Sequence, residues 1–122
     1  MTRDDSKNQR GAAAVEFALV LVPLLLIVLG TIDWGYYFYI REVVTNAARE
    51  GARAGSIANN AGDGAANDYL ANLGLSRVAV PCDTATACVL IDYPIPNNGS
   101  ITGFLSGVLP ANASARAQMR WE

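Results

Sequence analysis

The sequence predicts an α+β protein in which a long N-terminal transmembrane helix is followed by a small antiparallel sheet head with short helices. One observation is an uncharged apolar run of 16 residues from Phe17 to Ile32, in a chain that is 52% hydrophobic. Another is the change of period in the C-terminal half, where apolar and polar residues alternate as in strands. We therefore divide the 122 residues into an N-terminal segment (1–11), a transmembrane and stalk helix (12–55) and a head (56–122).

The apolar run is long enough to cross a membrane. With about 1.5 Å of rise per residue, a helix over 12–33 matches the roughly 30 Å of a bilayer core. The aromatic cluster at 34–39 is typical of the headgroup level. We expect Asp33, beside Trp34, to mark the interfacial end of the span rather than a proton relay. A secretory signal would be shorter and followed by a small-x-small site, so we expect the segment to be retained.

The helix is predicted to continue beyond the membrane, because residues 40–54 contain no proline. Small residues recur there at intervals of four, a spacing that lets another helix approach closely. The alternative is that alanine is simply a strong helix former. The five candidate packing residues are Ala47, Ala48, Gly51, Ala52 and Gly55.

The head begins with a predicted linker over 56–64 and a short helix over 65–75, with Tyr69, Leu70 and Leu73 on one face. Alternating residues predict strands over 76–82 and 87–95. In the first strand, Val78 and Val80 would share one side. In the second strand, the residues expected to lie together are Val89, Ile91, Tyr93 and Ile95.

Cys82 and Cys88 bracket the turn between these strands, so a disulfide would clamp a hairpin. A loop this short gives on the order of 2 kcal/mol in the chain-entropy model. Apolar residues at helical spacing then predict a short amphipathic helix over 101–109, ending near Pro110. The alternating tail over 112–122 predicts a last strand with one buried face.

Composition excludes several classes of function. The chain has no histidine and two cysteines, which are too few ligands for a zinc site, so we expect no metal and no cofactor. The net charge of −2 does not suit a nucleic-acid binder. The sequence has no phosphate-binding glycine loop and no serine–histidine pair. We therefore expect no nucleic-acid partner, no small-molecule substrate and no enzyme activity.

The start of the apolar run contains a further pattern. Gly11 precedes Ala12 and is followed five positions later by Glu16 and Phe17, with basic residues before it. A glutamate just inside a membrane helix is costly, although at this depth Glu16 could reach water at the interface. The spacing resembles the signature of type IV prepilins: a glycine, four residues, a glutamate and an aromatic or apolar residue. The resemblance implies that a prepilin peptidase cuts between Gly11 and Ala12, which makes residues 1–11 a leader.

The resemblance also gives Glu16 a role, together with the adjoining Phe17. In that family the glutamate neutralises the new N-terminal amine of a neighbouring subunit during assembly. The physical chemistry agrees, because cleavage creates a cation at Ala12 and a carboxylate in apolar surroundings is tolerated when it is paired. Without the leader the net charge would be −3, since three of nine basic and two of eleven acidic residues are lost.

Two further stretches narrow the type IV pilin-like family to a subgroup. One is Asn-Ala-Ala-Arg-Glu-Gly-Ala-Arg at 46–53, and the other is the C-terminal set Ala117, Met119, Arg120 and Glu122. They resemble the TadE-like proteins of tight-adherence (Flp) pilus systems. Phe17 departs from the tyrosine frequent after the glutamate in Flp-type signatures. The resemblance implies a minor, pilin-like subunit that acts in pilus assembly and adherence. Its expected partners are the peptidase, the inner membrane and other pilin-like subunits bound through the N-terminal helix.

The expected location is the bacterial inner membrane, with a single span, a cytoplasmic N-terminus and a periplasmic head. The count of three basic residues before the span against two after it favours this orientation only weakly. A paired Cys82–Cys88 favours it more strongly, because disulfides persist in oxidising compartments such as the periplasm. The alternative function is an uncleaved, membrane-anchored scaffold that recruits pilus or secretion machinery.

Overall fold

The computed structural model describes residues 5–58, 61–83 and 87–119, with side chains from residue 11 onward except that of Asp83. The first four residues of the leader, and Arg120, Trp121 and Glu122 of the predicted last strand, lie outside the described residues. One helix, α1, runs from Asp5 to Ile57 without interruption, although Pro23 lies inside it. The predicted α+β architecture is confirmed: a long apolar helix precedes a small antiparallel sheet and short helices.

The head packs on the C-terminal half of α1. Helix α2 (Gly62–Asn72) follows, and then a sheet in the order β1 (Ala79–Asp83), β2 (Ala87–Pro94) and β3 (Asn112–Met119). Both strand pairs are antiparallel, with Val80 opposite Leu90 and Ile91 opposite Ala115. The core forms where one face of α1 meets α2 and the sheet. Its largest fully buried side chains are Ile40, Val44, Leu70, Val89 and Ile91.

Strand β2 is the centre of the head and matches its prediction. Its burial alternates from Val89 onward, so Val89, Ile91 and Tyr93 face the core, and Ile95 just beyond the strand is buried with them. Strand β1 begins later than predicted, and the half-buried Val78 precedes it. In β1 the buried residue is Ala79, whereas Val80 is exposed.

Two local predictions are wrong. Helix α2 begins at Gly62 and ends at Asn72, so the linker is shorter than predicted and Leu73 is an exposed cap residue. The predicted helix over 101–109 is absent, and the segment forms bends and turns. Gly103 and Gly107 have φ of +80° and +84°, and these left-handed positions interrupt any helix. Before that segment, a short helical turn over Pro96–Gly99 contains Asn97 and Asn98 at positive φ.

Candidate functional site

The N-terminal part of α1 stands free of the head. From Gly11 to Ile32 no residue is buried, and most of its large apolar side chains are exposed. The apolar window of this helix is 0% buried, so it differs from the core helix of a soluble protein, which packing would cover. Such a surface needs lipid or neighbouring helices around it, because water makes its exposure unfavourable. Among the described residues, one helix is therefore a candidate membrane span that would anchor the chain.

The signature residues lie at the free end of this helix. Gly11 is exposed, and apart from its chain neighbours and the adjoining helix backbone no atom lies within 4 Å of the position that a Cβ would take there. Ala12, Glu16 and Phe17 are also exposed. Glu16 lies about one helical turn after Ala12, on the same face, since residues four apart are neighbours on a helix. This geometry leaves both the Gly11–Ala12 bond and the glutamate accessible to another protein.

Asp33 has different surroundings from those that its place in the sequence predicts. It is fully buried beneath the segment 100–105 and does not face an aqueous interface. Its carboxylate accepts hydrogen bonds from the Ser100 hydroxyl, from the Thr102 hydroxyl at 2.7 Å and from the backbone N–H of Thr102 at 2.8 Å. The backbone N–H of Leu105 donates a further bond at 3.1 Å. One charged side chain thus ties the loop before β3 to the end of the apolar segment.

The sequence pattern did not reveal this junction. The available signal was a single aspartate at the end of an apolar run, together with serine and threonine at positions 100 and 102. The partners are separated by 67 to 72 residues, and no local periodicity connects them. A carboxylate buried among apolar residues needs several donors, and hydroxyls in an uncharged loop were the candidates to supply them.

Aromatic side chains follow Asp33 along α1. Trp34 and Phe38 stack with ring centroids 5.3 Å apart, and Tyr37 meets Phe38 edge-on at 5.8 Å. Burial raises the pKa of the Tyr36 hydroxyl above its ordinary value, with further contributions from the nearby Tyr93 and Tyr39. Like any tyrosine hydroxyl it is neutral at physiological pH, and the ring and hydroxyl together suit a position between an apolar and a wet environment.

The small residues of α1 are buried against the chain's own head. A Cβ at Gly51 would lie 2.6 Å from the Gly62 carbonyl oxygen and 2.8 Å from the Ala66 Cβ. A Cβ at Gly55 would lie 3.4 Å from that of Ala87. Helix α2 and the start of β2 therefore approach the backbone of α1 closely. The remaining members of the set, all buried, are Ala47, Ala48 and Ala52.

The predicted disulfide between Cys82 and Cys88 is confirmed, with the two Cα atoms 5.4 Å apart. It joins β1 to β2 at the end of the hairpin, where Asp83 pairs with Cys88. The guanidinium Nε of Arg116 on β3 donates to the Cys88 sulfur at 3.4 Å. The disulfide thus closes the end of the sheet that lies near Gly55, far along α1 from Asp33. Within the described part of the chain, no group of three potential metal ligands is found.

Comparison with known proteins bears on the helix. A family model described as "TadE-like protein" matches residues 11–53, which cover the free apolar helix and most of the stalk. Comparisons with curated proteins and with solved structures gave no significant match. The head beyond residue 53 lies outside the matched region. The match confirms the predicted resemblance: over its membrane and stalk helix the chain is similar to TadE-like proteins, a family that implies a role in tight-adherence pilus systems.

Proposed function

We propose that the protein is a minor pilin-like subunit, a pseudopilin, that is processed after Gly11 and acts in pilus assembly and surface adherence. One observation carries the proposal: a free apolar helix has Gly11 and Glu16 near one end and a folded head at the other. The family match over 11–53 supports the pilus context. Such a subunit needs no catalytic chemistry, and we propose no enzyme activity for it.

The free apolar helix suits a subunit that passes between two environments. In the membrane its exposed side chains contact lipid, and in an assembly they would contact the helices of other subunits. Lipid tails and leucine side chains are similarly apolar, so the exchange is governed by packing and by a few polar contacts. Glu16 is the acidic residue within the apolar segment and is therefore the candidate for such a polar contact.

Cleavage would supply the partner of that carboxylate. Glycine is among the poorest helix formers, so the backbone around Gly11 unwinds at lower cost than elsewhere in the helix and can enter a protease cleft. Removal of residues 1–11 leaves a cationic amine on Ala12. We propose that Glu16 of one subunit pairs with the Ala12 amine of its neighbour, because an unpaired charge in apolar surroundings is costly.

The disulfide in the head supports one orientation of the protein in the membrane. A disulfide between Cys82 and Cys88 is favoured in an oxidising compartment. We therefore propose a single-pass protein of the bacterial inner membrane with its N-terminus in the cytoplasm and its head in the periplasm. In that arrangement the leader faces the cytoplasm, where the peptidase would cut it.

The test is the N-terminus of the mature protein, measured by intact mass in cells with and without the prepilin peptidase. We expect the chain to begin at Ala12 only when the peptidase is present. Gly11→Val should block processing. Gly35→Val is the matched control, because Gly35 is another α1 glycine whose Cβ position has no contact within 4 Å beyond its own stretch of helix. A mature protein that still begins near Met1 beside an active peptidase would favour the uncleaved scaffold.

A further inference from the structure

The loop that Asp33 holds is unusual in its composition. Between Asp92 and Arg116 lie 23 consecutive residues, 93–115, without a single charge. Elsewhere in the head, charged side chains occur on α2, on β1 and on β3. The long uncharged stretch contains the turns of 101–108, which join the central strand to the last one. The connection between these two strands therefore carries no charge.

This connection lies beside the membrane span. Asp33 directly follows the uncharged apolar run, and it accepts hydrogen bonds from the backbone of Thr102 and of Leu105. These bonds hold 101–108 at the level where the span ends. Leu29, one turn earlier on the face of Asp33, is only partly exposed, whereas residues 22–28 are all exposed. The covered face of α1 thus begins within the last turns of the span.

The segment exposes apolar side chains at this level. The exposed fractions are 48% for Ile101, 43% for Phe104 and 74% for Val108. On the adjacent part of α1, Trp34 and Phe38 are 47% and 46% exposed. A loop of a water-surrounded head gains nothing from such side chains, because exposure of apolar area to water is unfavourable.

We propose that residues 101–108 form a membrane foot, a second contact between this protein and the bilayer beside the transmembrane helix. The foot would insert Ile101, Phe104 and Val108 at the boundary of headgroups and acyl chains, on the same level as the stacked Trp34 and Phe38. Asp33 would act as the positioning residue that sets its height. Aromatic and aliphatic side chains suit that boundary.

Lipid fits this surface better than a protein partner does. The foot is continuous with the surface that already requires lipid, since the loop is hydrogen-bonded to the residue that ends the apolar run. The proposal needs the membrane anchor and holds whether or not Gly11–Ala12 is cut.

Depth-dependent fluorescence quenching tests the foot in the full-length chain. The protein, with Trp34 and Trp121 replaced by phenylalanine, is reconstituted into phosphatidylcholine vesicles with bromine near the headgroup end of the acyl chains. One tryptophan is then introduced by Phe104→Trp or, independently, by Val108→Trp, which changes a side chain that is largely exposed. Ile57→Trp is the control, because Ile57 is an exposed apolar residue about 36 Å farther along α1 than Asp33. Leu24→Trp, which lies near the middle of the span, reports its insertion in parallel vesicles that carry bromine near the methyl end of the acyl chains.

We expect the bromolipid to quench Phe104→Trp and Val108→Trp several-fold more strongly than Ile57→Trp. Asp33→Ala should reduce that difference, because the loop loses its tether. Quenching of Leu24→Trp without quenching at 104 and 108 would overturn the foot while leaving the anchor intact. If the tryptophans at 104 and 108 are insensitive to bromolipid but their emission changes with protein concentration, a second copy of the chain covers the surface and the lipid contact is refuted. No quenching at Leu24 would refute the anchor, and the foot with it.

Discussion

Two carboxylates on α1, those of Glu16 and Asp33, have opposite surroundings. Glu16 is exposed on the free apolar segment, within reach of a partner that arrives from outside. Asp33 is buried, and donors from the head fill its acceptor sites. A carboxylate that has all its donors contributes to the fold, whereas one without them is available for assembly.

Removing the Asp33 carboxylate is expected to release the loop at 100–105. In Asp33→Asn one carboxylate oxygen is replaced by an NH2 group, which cannot accept the hydrogen bonds that the loop donates. The amide protons of Thr102 and Leu105 should therefore exchange with solvent at least about tenfold faster. Hydrogen exchange of the full-length protein in detergent micelles measures this. Asp92→Asn is the control, because Asp92 is exposed on β2. Unchanged protection at both amides would contradict the tethering role.

Glu16→Ala is expected to leave cleavage after Gly11 mostly intact and to impair pilus assembly. The physical reason is that the neighbouring amine would lose its counter-charge inside an apolar assembly. Glu16→Gln should behave alike, since it keeps the shape and removes the charge. Glu42→Ala, at an exposed glutamate beyond the span, serves as the control. Processing is followed by intact mass and assembly by electron microscopy; normal pili from the Glu16 variants would rule out the pairing.

Among the elements, the contact of α1 with α2 depends on missing side chains. Gly51→Ala would place a methyl group against the Gly62 carbonyl and Ala66, so we expect the free energy of unfolding to fall by about 1–3 kcal/mol. Gly35→Ala in the same helix meets nothing within 4 Å and should be neutral or stabilising by up to about 1 kcal/mol. Thermal unfolding of both variants by circular dichroism measures the difference. If the two variants had equal free energies of unfolding, the close contact between α1 and α2 would contribute nothing to stability.

The β1–β2 hairpin is expected to depend on its disulfide. The double variant Cys82→Ser, Cys88→Ser should lose on the order of 2 kcal/mol of stability through the larger freedom of the unfolded chain. Chemical unfolding with and without reductant measures the loss: reductant should weaken the natural protein and leave the double variant unchanged. Non-reducing mass analysis of protein from cells adds a check, since two free thiols there would contradict a periplasmic head.

The elements that were predictable from sequence are those with strong internal periodicity. The uninterrupted apolar run identified α1, and alternation from Val89 to Ile95 identified the central strand and its buried face. In β1 the alternating pattern is short and predicted the wrong buried face. Val80 was expected to share a side with Val78, but the buried residue is Ala79. The helix predicted over 101–109 is wrong for a different reason. Its apolar residues have helical spacing, but two of its backbone N–H groups donate to Asp33 and two of its glycines have positive φ.

At the scale of the whole molecule, the head has a defined direction relative to the helix. Ala87, at the start of β2, lies near Gly55, whereas the loop that follows β2 reaches Asp33. The central strand therefore runs antiparallel to α1, with the disulfide at the far end and the uncharged loop near the span. The sequence could not predict this direction, because contacts between residue 33 and residues 100–105 leave no mark on local patterns.

The continuity of α1 has a consequence for rotation. Because one helix joins Glu16 to Asp33, the number of residues between them sets the angular phase of the glutamate relative to the head. Each residue added to or removed from the span rotates Glu16 by about 100° relative to the head. A change of about seven residues nearly restores the original direction and shifts only the depth of Glu16, by roughly 10 Å. The length of the apolar segment therefore encodes two separable quantities: how deep the glutamate lies, and in which direction it points as a neighbouring subunit approaches.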